Sequence, residues 1–120
     1  MAINTAGQTV TVNTSEVSPG FSSGKIVFDA TAITATDQIE VACGFKPKYV
    51  KFINATDRIA VEFFAGMTAD NCIKTAAAGT VTLETTNQGI TLTERGFRVS
   101  QNATLAVIAS SKTCYFIAYQ

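Results

Sequence analysis

The side chains able to do chemistry are few and scattered. The chain has no histidine. A Ser-His-Asp or Cys-His pair therefore cannot form, and the commonest transition-metal ligand is missing. Cys43, Cys72 and Cys114 stand far apart, with no CxxC pair among them. That spacing argues against a disulfide framework or a zinc site. Cys43 and Cys114 lie in apolar, strand-like runs, where a free cysteine packs as a small hydrophobe. The acids Asp29, Asp37, Glu40, Asp57, Glu62, Asp70, Glu84 and Glu94 are spread along the chain. Two carboxylates could still converge in space as a glycosidase pair. Sugar-cleaving sites usually carry aromatic platforms, however, and tryptophan is absent. "DATAITATDQIE" lacks the alternating ligands and the glycine of a calcium loop. "GTVTLETTNQG" lacks the Lys-Ser/Thr ending of a phosphate loop. The expectation is a non-enzymatic protein without cofactor or metal.

Charge narrows the partners. Nine basic and nine acidic residues cancel, so nothing draws the chain over long range to nucleic acid or an anionic membrane. Lys46, Lys48 and Lys51 are too few for a nucleic-acid patch and read as a guarded strand edge. No apolar run approaches the roughly 20 residues that span a bilayer. Neither nucleic acid nor membrane is an expected partner. "MAINTAGQTVTVNTSEVSPG" has neither a basic region nor an apolar stretch, so no secretory signal is expected and folding is assigned to a cytoplasm. On that view the N-x-S/T triplets at Asn13, Asn54 and Asn102 are chance in a threonine-rich chain.

These residues must be positioned by a small framework. A length of 120 residues predicts one domain with enough buried surface for a core without staples. Hydrophobic residues make up 47% and charged residues only 15%, against a usual charged share of about 25%. So uncharged a surface suggests that partners cover part of it, although threonine, serine, asparagine and glutamine could also clothe a monomer.

From residue 25 onward the pattern is β. "GKIVF", "DQIEVAC", "KYVKFIN", "RIAVEFF", "TVTLETT", "GITLT", "GFRVS", "TLAVIAS" and "TCYFIAY" are short runs rich in β-branched and aromatic residues. Turn residues separate them. The expectation is an all-β fold, an antiparallel β-sandwich or jelly roll of about eight to ten strands. Residues 1–24 read as an extended N-terminal arm and 25–120 as a single β domain. Within the arm only "QTVTV" alternates like a strand, either added to the sheet edge or laid on a neighbour. "MTADNCIKTAAAG" could hold at most one short turn of helix, the rest being loop.

"KYVKFINATDRIAVEFF" reads as a hairpin. With the turn at Asn54–Asp57, Ile53 faces Arg58, Phe52 faces Ile59 and Val50 faces Val61. Val50, Phe52, Ile59, Val61 and Phe63 then share a core face. Tyr49, Lys51, Ile53, Arg58, Ala60 and Glu62 share the other, a mixed face suited to solvent or to a protein partner. In "TCYFIAYQ" both faces are apolar or amphipathic, so that strand is expected to be central or covered.

The order of pieces in residues 44–97 resembles a group of small virion proteins of tailed bacteriophages. The pieces are "GFKPKYVKFINATDRIAVEFFAGM", then "IKTAAAGTVTLETTNQGITL", then "RGF". Members assigned a role are taken as capsid decoration or cement proteins. The resemblance implies assembly in bacterial cytoplasm, a place on the virion capsid surface, no cofactor and no catalysis. It implies the major capsid protein and further copies of the chain, most simply a trimer, as partners. It transfers no site residues. Candidates for the capsid contact come from exposure patterns: Ile3, Val10 and Val12 in the arm, and Met67 with the loop after it. Candidates for the subunit contact are Tyr49, Arg58 and Glu62. Two other readings stand beside this one: a tail or fibre component with a receptor-binding role, and a carbohydrate-binding β-sandwich with exposed aromatics. Tyr115 and Tyr119 are the one pair suited to the latter, and both are expected to be covered.

Overall fold

Ten strands build two antiparallel sheets in the computed structural model, which describes residues 3–5, 7–13, 20–31, 37–85, 89–100 and 111–120. The strands are β1 (Gln8–Asn13), β2 (Phe21–Phe28), β3 (Gln38–Ala42), β4 (Tyr49–Asn54) and β5 (Ile59–Phe64). They continue as β6 (Cys72–Thr75), β7 (Val81–Glu84), β8 (Ile90–Thr93), β9 (Gly96–Ser100) and β10 (Thr113–Tyr119). The larger sheet has seven strands in the order β1-β2-β10-β4-β5-β6-β7, and the smaller has three in the order β3-β9-β8. The expected all-β sandwich is the observed fold. The expected strand "TLAVIAS" lies outside the described residues.

Alternation decides which side chains meet between the sheets. Ile26 and Phe28 from β2, Val50 and Phe52 from β4, Val61 and Phe63 from β5, and Cys114, Phe116 and Ala118 from β10 are buried. Ile39 and Val41 of β3, Ile90 of β8, and Phe97 and Val99 of β9 meet them from the smaller sheet. Phe97 and Phe116 join the two layers edge to face, with ring centroids 5.4 Å apart, the geometry that aromatic quadrupoles favour.

The closing strand β10 lies between β2 and β4, with seven residues in register with β2 and six with β4. Its central placement is the expected one. Phe116 stands opposite Gly24, and a Cβ on Gly24 would sit 2.5 Å from Phe116 Cε1. Glycine there makes room for the ring.

Residues 8–13 form the strand expected in the arm: β1 pairs with β2 over six positions and Val10 packs against the core, so of its two offered placements the sheet edge is the one found. Four expectations are corrected. First, the expected boundary at residue 24 falls inside β2. Secondly, the hairpin register differs. Asn54 faces Ile59, Phe52 faces Val61 and Val50 faces Phe63. Partners are displaced two places along β5, and a two-residue displacement leaves every side chain on its face. The turn spans Ala55–Arg58, closed by Asn54 Nδ2 donating to Asp57 Oδ2 (2.9 Å) and the Asp57 N–H donating to Asn54 Oδ1 (3.1 Å). Arg58 ends it with φ +60°, so it belongs to the turn and not to the strand face. Thirdly, "CIKT" forms β6 instead of loop, pairing with β5 and β7. Finally, Tyr115 and Tyr119, expected to be covered, are 45% and 46% exposed in the chain.

Candidate functional site

The outer face of the larger sheet departs from an ordinary solvated surface. Seven large apolar side chains are markedly exposed among the described residues: Val12, Val27, Phe64, Val81, Leu83, Tyr115 and Tyr119. Register places all of them except Val12 on this one face. Half-buried Ile53, Ile73 and Ile117 fill the spaces between. The face spans six strand gaps of about 4.8 Å, and its apolar side chains share it with Thr9, Thr11, Lys25, Lys51 and Glu62.

Two features give the face its shape. One is an aromatic row across four strands, Phe21, Tyr119, Tyr49 and Phe64, which stand level with one another. Successive ring centroids are 5.3, 6.0 and 5.1 Å apart. The other is a hollow of about 450 Å³ beside β10, lined by Lys25, Lys51, Ile53, Tyr115 and Ile117. Neither lysine has an ion-pair partner within the chain among the described residues.

The smaller sheet provides the contrast. Its outer face carries Glu40 opposite Arg98, with Arg98 Nε 3.4 Å from Glu40 Oε1, beside Thr91 and Thr93. A cross-strand ion pair among threonines is what water-facing strands usually show.

The candidate contact residues are not gathered at one place. Tyr49 and Glu62 lie together on the apolar face, and the Tyr49 hydroxyl donates to Glu62 Oε2 at 2.7 Å. Burial, then the acceptor Glu62 and its charge, push the Tyr49 phenol above the ordinary tyrosine range. Arg58 is exposed in the β4–β5 turn. Met67 is half-buried against the core, and its Sδ accepts from the Phe64 N–H at 3.3 Å. Val10 packs inward while Val12 is 37% exposed at the sheet edge. Ile3 bridges to Gln38, so the chain before β1 lies along β3. There the Asn4 N–H donates to the Gln38 carbonyl, and the Glu40 N–H donates to Asn4 Oδ1.

Sequence reasoning missed Val27, Phe64, Val81 and Leu83 as surface residues. The readable signal was apolar residues at both parities in "KIVF" and "EFF", which one buried face cannot accommodate; "VTLE" alternates and gives no such signal for Val81 and Leu83. Reactive groups are not displayed here. All three thiols are buried, and burial first of all pushes Cys72 and Cys114 up to about 12, leaving them protonated at neutral pH. Among the described residues no group of three or more His, Cys, Asp or Glu converges to hold a metal ion. No helix there is long and apolar enough to cross a membrane. No protein-family model, no curated protein and no solved structure matches the chain.

Proposed function

We propose that this chain is a non-enzymatic structural protein of a bacteriophage virion, a capsid decoration or cement protein held by the major capsid protein and by other copies of itself. The observation that carries the reading is the apolar outer face of the seven-stranded sheet, where six of the seven large apolar side chains markedly exposed among the described residues lie. A lone chain leaves that face in water; an assembled shell covers it. The order of motifs in residues 44–97 points the same way.

The mechanism is cohesion. Covering about 300 Å² of apolar surface is worth roughly 7 kcal/mol before ordering costs are subtracted. Many copies around a shell add such terms across the seams between capsomers, opposing the outward pressure of packaged DNA. No bond is made or broken, so the protein needs only a rigid scaffold and a face. The test is binding of purified chain to heads that lack it, followed by cryo-EM and by heat release of DNA. Bound density at the seams with slower DNA release is expected; heads that neither bind the chain nor gain resistance overturn the role.

A second reading draws on exposed Tyr115 beside the 450 Å³ hollow. Tyrosines on an open sheet face can stack on sugars, and titration with host-surface glycans separates a carbohydrate-binding module from a cement protein.

A further inference from the structure

We propose that the hollow beside β10 binds an acidic sugar chain, one whose charge is a carboxylate or phosphate group. This rests on the second reading above, in which the outer face stays open, and names the ligand class of that same hollow.

Its shape follows from the register. Small Ser23 stands beside Ile117, and one step along the strands Lys25 stands beside Tyr115. From the other side β4 places Lys51 beside Ile117 and Ile53 beside Tyr115. Large side chains around a small one leave the hollow of about 450 Å³, within the roughly 300–1,000 Å³ of small-ligand sites. The strand beneath it, β10, is paired on both edges. Its main-chain groups are engaged in the sheet, so an extended peptide finds no ladder to join here. Recognition falls to side chains. Tyr115 is 45% exposed and offers a ring on which the apolar face of a sugar can lie.

The polar groups set the charge of the ligand. Lys25, Lys51, Tyr115 and Ser23 supply the polar side-chain atoms of the lining, which among the described residues holds no carboxylate or amide side chain. Lysine donates and never accepts. A neutral sugar, whose hydroxyls must also donate, is poorly matched to such a site, and an acceptor-rich anion is well matched. The two lysines flank β10 on opposite sides, one step apart. Two strand spacings across and two residues along put their Cα atoms about 12 Å apart. Each four-carbon stem covers about half of that, so both ammonium groups reach a ligand seated over Tyr115 and Ile117. Neither lysine has an ion-pair partner within the chain among the described residues. Glu62 lies across from Lys51, but its carboxylate turns to Tyr49, whose hydroxyl it accepts at 2.7 Å.

The experiment is calorimetric titration of the purified full chain with tetragalacturonate and with a phosphodiester-linked mannose oligomer. Each is set against its neutral counterpart, the methyl ester and mannotetraose. At least one anion is expected to bind, and the one that does names carboxylate or phosphate as the source of charge. Its neutral counterpart is expected to bind at least tenfold more weakly. Circular dichroism confirms folding of each variant. Lys25→Gln and Lys51→Gln are each expected to weaken binding about threefold, the scale of one exposed charge contact. Tyr115→Ala is expected to weaken it about fivefold, the scale of one stacked ring. Lys46→Gln, beside Glu94 and outside the hollow, is expected to leave it unchanged. Silence of both anions, or binding indifferent to Lys25→Gln, Lys51→Gln and Tyr115→Ala alike, overturns the inference. Neutral oligomers that bind as well as the acids, through Tyr115, overturn the acidic preference and leave a carbohydrate-binding module. Silence of all four probes and of host-surface glycans removes that module as well.

Discussion

Tyr49 and Glu62 sit diagonally across β4 and β5, joined by a hydrogen bond of 2.7 Å from phenol to carboxylate. Both residues suit contact with a partner, yet in the chain they satisfy each other. The bond pins the aromatic ring between Phe64 and Tyr119 and leaves the apolar row rigid. A rigid face loses little entropy when it is covered.

Removing that hydroxyl tests the pair. Tyr49→Phe is expected to cost about 0.5–1.5 kcal/mol, read from urea unfolding midpoints. The tyrosine contributes also to alkaline behaviour. Its folded pKa lies above the unfolded value of about 10 because burial and Glu62 disfavour the phenolate. The associated stability is present below about pH 10 and is lost as pH rises through the folded value. Tyr49→Phe therefore lessens the alkaline fall in melting temperature.

The thiols follow the same sign at lower pH. Cys72 and Cys114 are held at about 12 when folded, against about 8.5 in an unfolded chain. Their contribution is intact below about pH 8.5 and declines between there and 12. Native protein at pH 8 is expected to react with a thiol reagent only at the rate of unfolding, with all three cysteines labelled together in denaturant. Rapid labelling of Cys72 or Cys114 in the native state contradicts their burial.

Packing around Phe116 sets the scale of core stability. Phe116→Ala removes the ring that meets Phe97 and is expected to cost about 3–5 kcal/mol. Gly24→Ala acts from the other side, driving a methyl into that ring and the Thr11 backbone. Its expected cost is about 1–3 kcal/mol. In Phe116→Leu the smaller side chain relieves part of the clash, so the double variant is expected to be more stable than the sum of the two single losses.

Deletion of the last six residues is expected to abolish soluble folding. Those residues include most of β10, which supplies pairing to both β2 and β4. Without it the seven-stranded sheet divides, and a loss on that scale exceeds the roughly 5–15 kcal/mol that holds a domain together. Circular dichroism of the soluble fraction is the check; a cooperative thermal transition in the truncated chain refutes the placement.

Strands were legible because their signals are local. Val-Phe-Asn alternation in "YVKFIN", the Asn54–Asp57 turn chemistry and the amphipathic "TCYFIAY" each speak within a few residues. The same alternation correctly divided Val50, Phe52, Val61 and Phe63 from Tyr49, Lys51 and Glu62. Absence of histidine and the even balance of charge were likewise readable by inspection.

Which strand lies beside which, and therefore what faces water, was decided only in three dimensions. β10 pairs with β2 and β4 from far along the chain, a choice that rests on the fit of Phe116 over Gly24 and against Phe97. β1 was added to the sheet because Val10 gains a place in the core that a free arm lacks. The two-residue difference in the hairpin register came from the buried Asn54 and left-handed Arg58, which no period-2 pattern records. The three-stranded sheet covers one face of the larger sheet, and among the described residues the apolar side chains on its other face have no second layer over them. Alternation sorts side chains into two faces; only the side on which the opposing layer packs settles which face is dry.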